Sequence, residues 1–193
     1  MKSDVRSALV SHLWLLLGSA FFVFVGWRFN VAIAAWLAPL FLIRYVRDRK
    51  RWYAALPVVP LLALASYAQL AGGWDLDAWM YPVFSLLRPV ALFVGLFADR
   101  ALHRRLPRWA STLVYPAVSL AVDYAVSFTP LGTTMAVGVT QFGLPAVAQL
   151  ASITGIWGIG FLAGWTSSVA NLAWEERAAF SRARKVVAAW ACC

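Results

Sequence analysis

Cysteine is almost missing from this chain: Cys192 and Cys193, adjacent at its end, are the only two in 193 residues. They offer no C-x-x-C pair, no metal-ligand spacing and no disulfide framework, so the sequence predicts no metal site and gives no support to redox chemistry. His12, near one end of the first apolar span, has no partner motif and reads as a packing or interfacial residue. A G-x-G-x-x-G phosphate loop is missing too, and no cofactor is predicted. Acidic residues are few, 8 against 17 basic ones, for a net charge of +9. Such a balance can mark a nucleic-acid binder, but that reading needs basic residues along a soluble face with aromatics between them. Here the basic residues form clumps between apolar spans, the usual orientation signal of membrane loops, so no nucleic-acid partner is expected.

What is abundant is apolar surface. Hydrophobic residues make up 62% of the chain and the mean hydropathy is +0.72. Those values exceed the norm for a soluble domain and predict an all-α, polytopic membrane helix bundle. Six segments approach the ~20 residues that a crossing needs: 8–27, 31–46, 53–72, 80–98, 110–129 and 155–174. The first follows Lys2 and Arg6 like the start of a signal peptide, but it lacks a small-x-small cleavage site and reads as a retained helix. The segment 186–193 reads as the start of a seventh helix, or else as a surface tail whose final cysteines are lipidated or merely terminal.

Charge sets the orientation. Lys2 and Arg6 precede the first span, five basic residues from Arg44 to Arg51 separate the second from the third, and four from Arg100 to Arg108 separate the fourth from the fifth. Arg177, Arg182, Arg184 and Lys185 follow the sixth. Fifteen of the 17 basic residues thus fall on one side, which predicts a cytoplasmic N-terminus and cytoplasmic even-numbered connections. Trp52, Trp74, Trp79, Trp109 and Trp174 stand at span ends, where an indole ring sits at headgroup depth.

Two charges lie well inside spans, Arg88 in "SLLRPVAL" and Asp123 in "SLAVDYAV". A lone charge there is costly, about 2.5–3.5 kcal/mol on insertion scales, and normally faces the bundle interior. Counting from the far face, Arg88 lies about 8 residues or ~12 Å deep and Asp123 about 6 residues or ~9 Å. Equal depth makes them a candidate buried ion pair, or two walls of one cavity. Pro57, Pro60, Pro82 and Pro89 are expected to kink the third and fourth helices. Gly160 and Gly164 repeat in a G-x-x-x-G spacing that favours close helix approach. The connection 129–154, rich in glycine and proline, is too polar to cross, so Gln141, Gln149 and Thr154 are predicted on an outer loop as contacts for a substrate or a further domain.

The stretch "YPAVSLAVDYAVSFTPLGTTMAVGVTQFGLPAVAQLASITGIWGIGFLAGWTSSVANLAWE" resembles the membrane segment that precedes the nitrilase-like domain of apolipoprotein N-acyltransferases, members of the carbon-nitrogen hydrolase family. The likeness rests on Pro116 leading a helix that ends in Asp123-Tyr124, on Gln141, and on the run from Gln149 to Leu162. Ala35 to Pro39 resembles the core of that family's second helix. The family more often has Glu where Asp123 stands.

The resemblance implies a bacterial plasma-membrane protein whose complete form moves an acyl group from a phospholipid to the N-terminal amine of a lipoprotein. A Cys thioester carries the group, Glu acts as general base and Lys stabilises the oxyanion. Those three residues belong to a nitrilase-like domain that these residues lack. Lys2, Lys50 and Lys185 are expected on the cytoplasmic side and the cysteines are terminal, so no catalytic residue carries over and the chain is expected to be inactive alone. Membrane phospholipid, the lipoprotein and the missing catalytic domain are its implied partners. Two alternatives stay open: a stand-alone membrane scaffold, and a small transporter, which would call for helix breaks in matching halves.

Overall fold

The computed structural model describes residues 2–49, 51–72, 77–176 and 183–192. Lys50, Trp74, Arg177, Arg182 and Cys193, all named above, lie outside them. Among the described residues the chain is all-helical, without strands. Its helices are α1 (Lys2–Val23), α2 (Ala34–Asp48), α3 (Val58–Leu70), α4 (Met80–Leu102) and α5 (Arg108–Val126), followed by the short α6 (Pro145–Ala148), then α7 (Ala151–Glu175) and α8 (Arg184–Ala191). Three 3-10 turns, Trp27–Phe29, Trp52–Ala55 and Val137–Gly143, join them.

The six long helices form a closed ring. α1 packs on α2 and α3, α3 on α4, α4 on α5, α5 on α7, and α7 returns to α2, which also reaches across to α4. Leucine- and alanine-rich sequences make these segments good helix formers, and close packing then selects small residues at the crossings. A Cβ at Gly164 would lie 3.2 Å from Pro116 Cβ, and one at Gly95 would strike the Ser119 hydroxyl. The G-x-x-x-G pair thus serves packing: Gly164 meets α5, and Gly160 faces Gly138 and Val137.

Two helical stretches are long and apolar enough to cross a membrane, Trp52–Leu70 and Met80–Leu102, with mean hydropathies of 1.5 and 1.6. That is fewer than the six expected. α2 has only 15 residues, and the described apolar part of α1, Leu9–Val23, is equally short of a full crossing. α5 and α7 are long enough, but Ser111, Thr112, Ser167, Ser168 and Asn171 lower their hydropathy, and all five are buried.

The prolines also act differently from expectation. Pro57 caps α3, while Pro60 and Pro82 occupy the first turns of α3 and α4, where an amide would be unpaired anyway. The interior prolines are Pro39, Pro89 and Pro116, one each in α2, α4 and α5. The predicted 155–174 helix begins earlier, at Ala151, and is broken at Gly155 by φ 65°, a conformation glycine tolerates best. The helix predicted to start at 186 begins two residues earlier, as α8 (Arg184–Ala191), which packs against α7.

Large apolar side chains are exposed while several polar ones are buried among the apolar core. α4 exposes Val83, Leu86, Leu87, Val90, Val94 and Phe97 along one stripe, and α1 exposes Leu9, Leu13 and Leu16. Inside, beside Leu42, Ile43 and Leu62, stand Gln69, Arg88, Asp99, Gln141, Ser168 and Asn171. At one end of the ring the ends of α2, α4 and α7 are tied by charge. Arg47 donates from Nε and Nη2 to the two carboxylate oxygens of Asp99 at 2.7 and 2.8 Å, and Glu175 takes Arg44 and Arg47 at 3.4 and 3.5 Å. Arg108 pairs with Glu176.

Candidate functional site

Between α2, α4, α5 and α7 lies a cavity of about 40 Å³, enough for a bound water or two. Its wall includes Arg88, Tyr115, Ser119 and Asp123. It also takes in Pro39 and Pro116, whose missing amides leave the carbonyls of Ala35 and Thr112 without their usual helical donors. The three interior prolines thus occur in three of the four helices that frame the cavity.

Arg88 and Asp123 share this space, as their equal depth suggested, but no ion pair within 4.0 Å joins them. Arg88 instead donates from Nη1 to the carbonyl of Val25 at 2.5 Å and lies over the ring of Phe22, 5.4 Å from its centroid. The cause is local. The chain leaves α1 through Gly26, whose φ of 92° turns the backbone away and leaves the Val25 carbonyl to accept from a side chain. A Cβ on Gly26 would stand 3.2 Å from Arg88 Nη1 and 3.3 Å from Thr140, so the turn, the arginine and the Val137–Gly143 segment meet at one point. Asp123 is half-buried on the far wall, with the backbone amide of Val137 turned to its carboxylate.

Gln141 departs from its predicted role. It is fully buried, and every polar group it has is used inside the bundle. Nε2 donates to the Ala32 carbonyl at 3.1 Å and to Thr140 Oγ1 at 2.8 Å, while Oε1 accepts from Trp36 Nε1 at 2.9 Å. Asn30 adds a bond from Nδ2 to the Thr140 carbonyl at 2.8 Å. Gln141 is therefore a clasp between the Val137–Gly143 turn and the start of α2, and in this structure it cannot reach an outer partner. Gln149 and Thr154 are exposed, with Thr154 Oγ1 donating to the Leu150 carbonyl at 3.1 Å, and neither joins Gln141.

No family model, curated protein or solved structure matches the chain. Any reading of the site accordingly rests on its residues and on the motifs quoted above. Among the described residues no group of three or more His, Cys, Asp or Glu is placed to hold a metal ion. Sequence reasoning overlooked Tyr115, a buried phenol on the cavity wall, and the Asn30–Trp36–Thr140 set around Gln141. Tyr115 had a signal, one residue ahead of the interior Pro116. Asn30 and Trp36 had none, since they lie more than a hundred residues from the Thr140–Gln141 pair along the chain.

The clasp makes a measurable claim. Gln141→Leu should orphan the indole N–H of Trp36, at about 1–3 kcal/mol for a buried group left unpaired, while the Ala32 carbonyl keeps its bond from the Ala35 amide. Unfolding in detergent should show that loss. Wild-type stability would mean that Gln141 contributes nothing to the junction.

Proposed function

We propose that these residues form the multi-pass membrane domain of an apolipoprotein N-acyltransferase-like protein. Six crossings would place the basic end on the cytoplasmic side of a bacterial plasma membrane and the Val137–Gly143 turn on the outer side. One observation carries the membrane reading: α4 and α1 each expose a row of large apolar side chains, while Arg88, Gln69 and Asn171 are turned inward. Lipid stabilises that distribution and water does not. In this reading α1 and α2 cross as short spans, and α5 and α7 carry polar groups because Ser111, Thr112, Ser167, Ser168 and Asn171 are buried away from the exterior.

The acyl-transfer part rests on the motif resemblance. In this reading the bundle holds two lipids at the outer leaflet, and the Arg88–Asp123 cavity lies at the depth where headgroup gives way to acyl chain. A separate nitrilase-like domain supplies Glu, Lys and Cys. The thiolate attacks the phospholipid ester, releasing a lysophospholipid, and the lipoprotein amine then displaces the thiolate to form an amide. In this reading the catalytic chemistry belongs to that domain, and these residues by themselves transfer no acyl group.

Exposed Phe128, Phe142 and Ile153, all at the end opposite the basic clumps, favour a second reading, a stand-alone scaffold that docks a partner there. A photoreactive diacylated lipopeptide, with the chain in lipid nanodiscs, separates the two. The acyltransferase reading expects crosslinks on α5 and α7 near Asp123 that excess phospholipid suppresses. Crosslinks spread evenly over the exterior would remove it in favour of the scaffold. Topology is checked separately by replacing both native cysteines with Ser and introducing Arg104→Cys or Phe142→Cys. An impermeant maleimide should label Phe142→Cys from outside and leave Arg104→Cys untouched, and the same accessibility at both sites would end the multi-pass assignment.

A further inference from the structure

A second hollow, away from the Arg88 cavity, opens between the C-terminal ends of α2 and α4. Its volume is about 270 Å³, and Arg47, Asp48, Arg49, Arg100, His103 and Arg104 line it. Part of this charge is already committed. Arg47 is buried against Asp99, and Arg100 donates from Nη1 to the Val46 carbonyl at 2.5 Å, so these two build the floor. Such bonds are the ordinary work of cations at helix C-termini.

Arg49 does not fit that role. Its guanidinium is stacked 4.5 Å from the Tyr45 ring centroid, and the Tyr45 hydroxyl is itself fixed by donating to the Ala54 carbonyl at 2.9 Å. Held there, Nε and Nη2 of Arg49 are shielded from solvent yet have no hydrogen-bond partner. Unpaired buried donors on a charged group are costly, and the guanidinium edge is shaped to bond two oxygens at once. Across the hollow, Arg104 is exposed and repels Arg100, which an anion between them would relieve. His103 anchors its Nδ1 to the backbone carbonyls of Asp99 and Arg100, at 3.1 and 3.0 Å. The one opposing carboxylate in the wall, Asp48, is exposed.

We propose that this hollow binds a phosphate group, with Arg49 and Arg104 as its principal ligands. The phosphate belongs either to an anionic lipid headgroup at the basic face of the bundle or to a free phosphate anion. Neither source depends on the acyl-transfer reading, and the site lies at the opposite end of the bundle from the Gln141 turn.

The test uses the full chain in phosphatidylcholine nanodiscs, with and without phosphatidylglycerol, and a spin-labelled phosphatidylglycerol as reporter. Immobilised reporter that inorganic phosphate displaces assigns the site to phosphate from either source. Immobilised reporter that inorganic phosphate leaves in place assigns it to the lipid headgroup. Arg49→Gln or Arg104→Gln should each weaken reporter binding about tenfold, the scale of one charge-assisted hydrogen bond. Arg105→Gln, one residue outside the wall, should leave it unchanged. No immobilisation in the intact chain, together with no binding of inorganic phosphate, would overturn the proposal. So would equal weakening by Arg105→Gln, which would reduce the effect to general attraction by a basic surface.

Discussion

Asp99→Ala should destabilise the bundle by about 3–5 kcal/mol, the usual cost of leaving a buried charge without its partner. Only 6% of the Arg47 side chain and 1% of the Asp99 side chain are exposed, and two parallel bonds join them. Removing the carboxylate leaves Arg47 facing Glu175, which is 3.5 Å away and one-third exposed, so that contact replaces the lost one only partly. The loss should therefore fall toward the lower end of that range. Replacing both residues by Leu should cost much less than either single change, because no charge is then stranded. Reversible unfolding in mixed detergent gives all three values. Additive losses would mean that the two side chains act independently and that the tie between α2 and α4 lies elsewhere.

Gly138→Ala should be the most damaging of the glycine substitutions. A Cβ there would sit 2.1 Å from the carbonyl oxygen of Ile156, 2.8 Å from its carbon and 3.0 Å from its Cα. These are backbone atoms, so no rotamer change relieves the clash, and either the Val137–Gly143 turn or the start of α7 must move. We expect a loss of about 3 kcal/mol or more, the scale of severe overpacking. A shift of the turn would also carry Val137 away from Asp123 and change the cavity. Gly143→Ala in the same turn is the control, with no atom within 4 Å of the added carbon, and should be close to neutral. If the two variants unfold alike, the turn does not rest on α7 as described.

How far the sequence leads can be judged element by element. The start of the fourth helix was legible to the residue, because the apolar run begins where the polar "DLDAW" segment stops, and α4 begins at Met80. The fifth was legible to within a turn, after Pro107. Depth counting along α4 and α5 brought Arg88 and Asp123 to one cavity, since a helix rises by a fixed amount per residue. The same count could not say which way the guanidinium turns. A carbonyl freed at the end of α1, 63 residues earlier, took the bond that Asp123 was expected to receive.

Gln141 marks the boundary most clearly. A glutamine in a segment of Gly, Pro and Thr reads as a surface residue, because burying an amide is unfavourable unless each of its groups is bonded. Its bonds come from Ala32, Trp36 and the neighbouring Thr140, and only the packed bundle brings the first two to it. Arg47 is the same case, one charge of a basic clump between spans until α2 and α4 converge and bury it against Asp99. Apolar content and helical propensity are summed along the chain, so the sequence alone determined an all-helical fold and the approximate place of its long helices. Pairing of buried polar groups depends on geometry between distant segments, so only the tertiary structure decided which polar residues are held inside and which remain to meet a ligand.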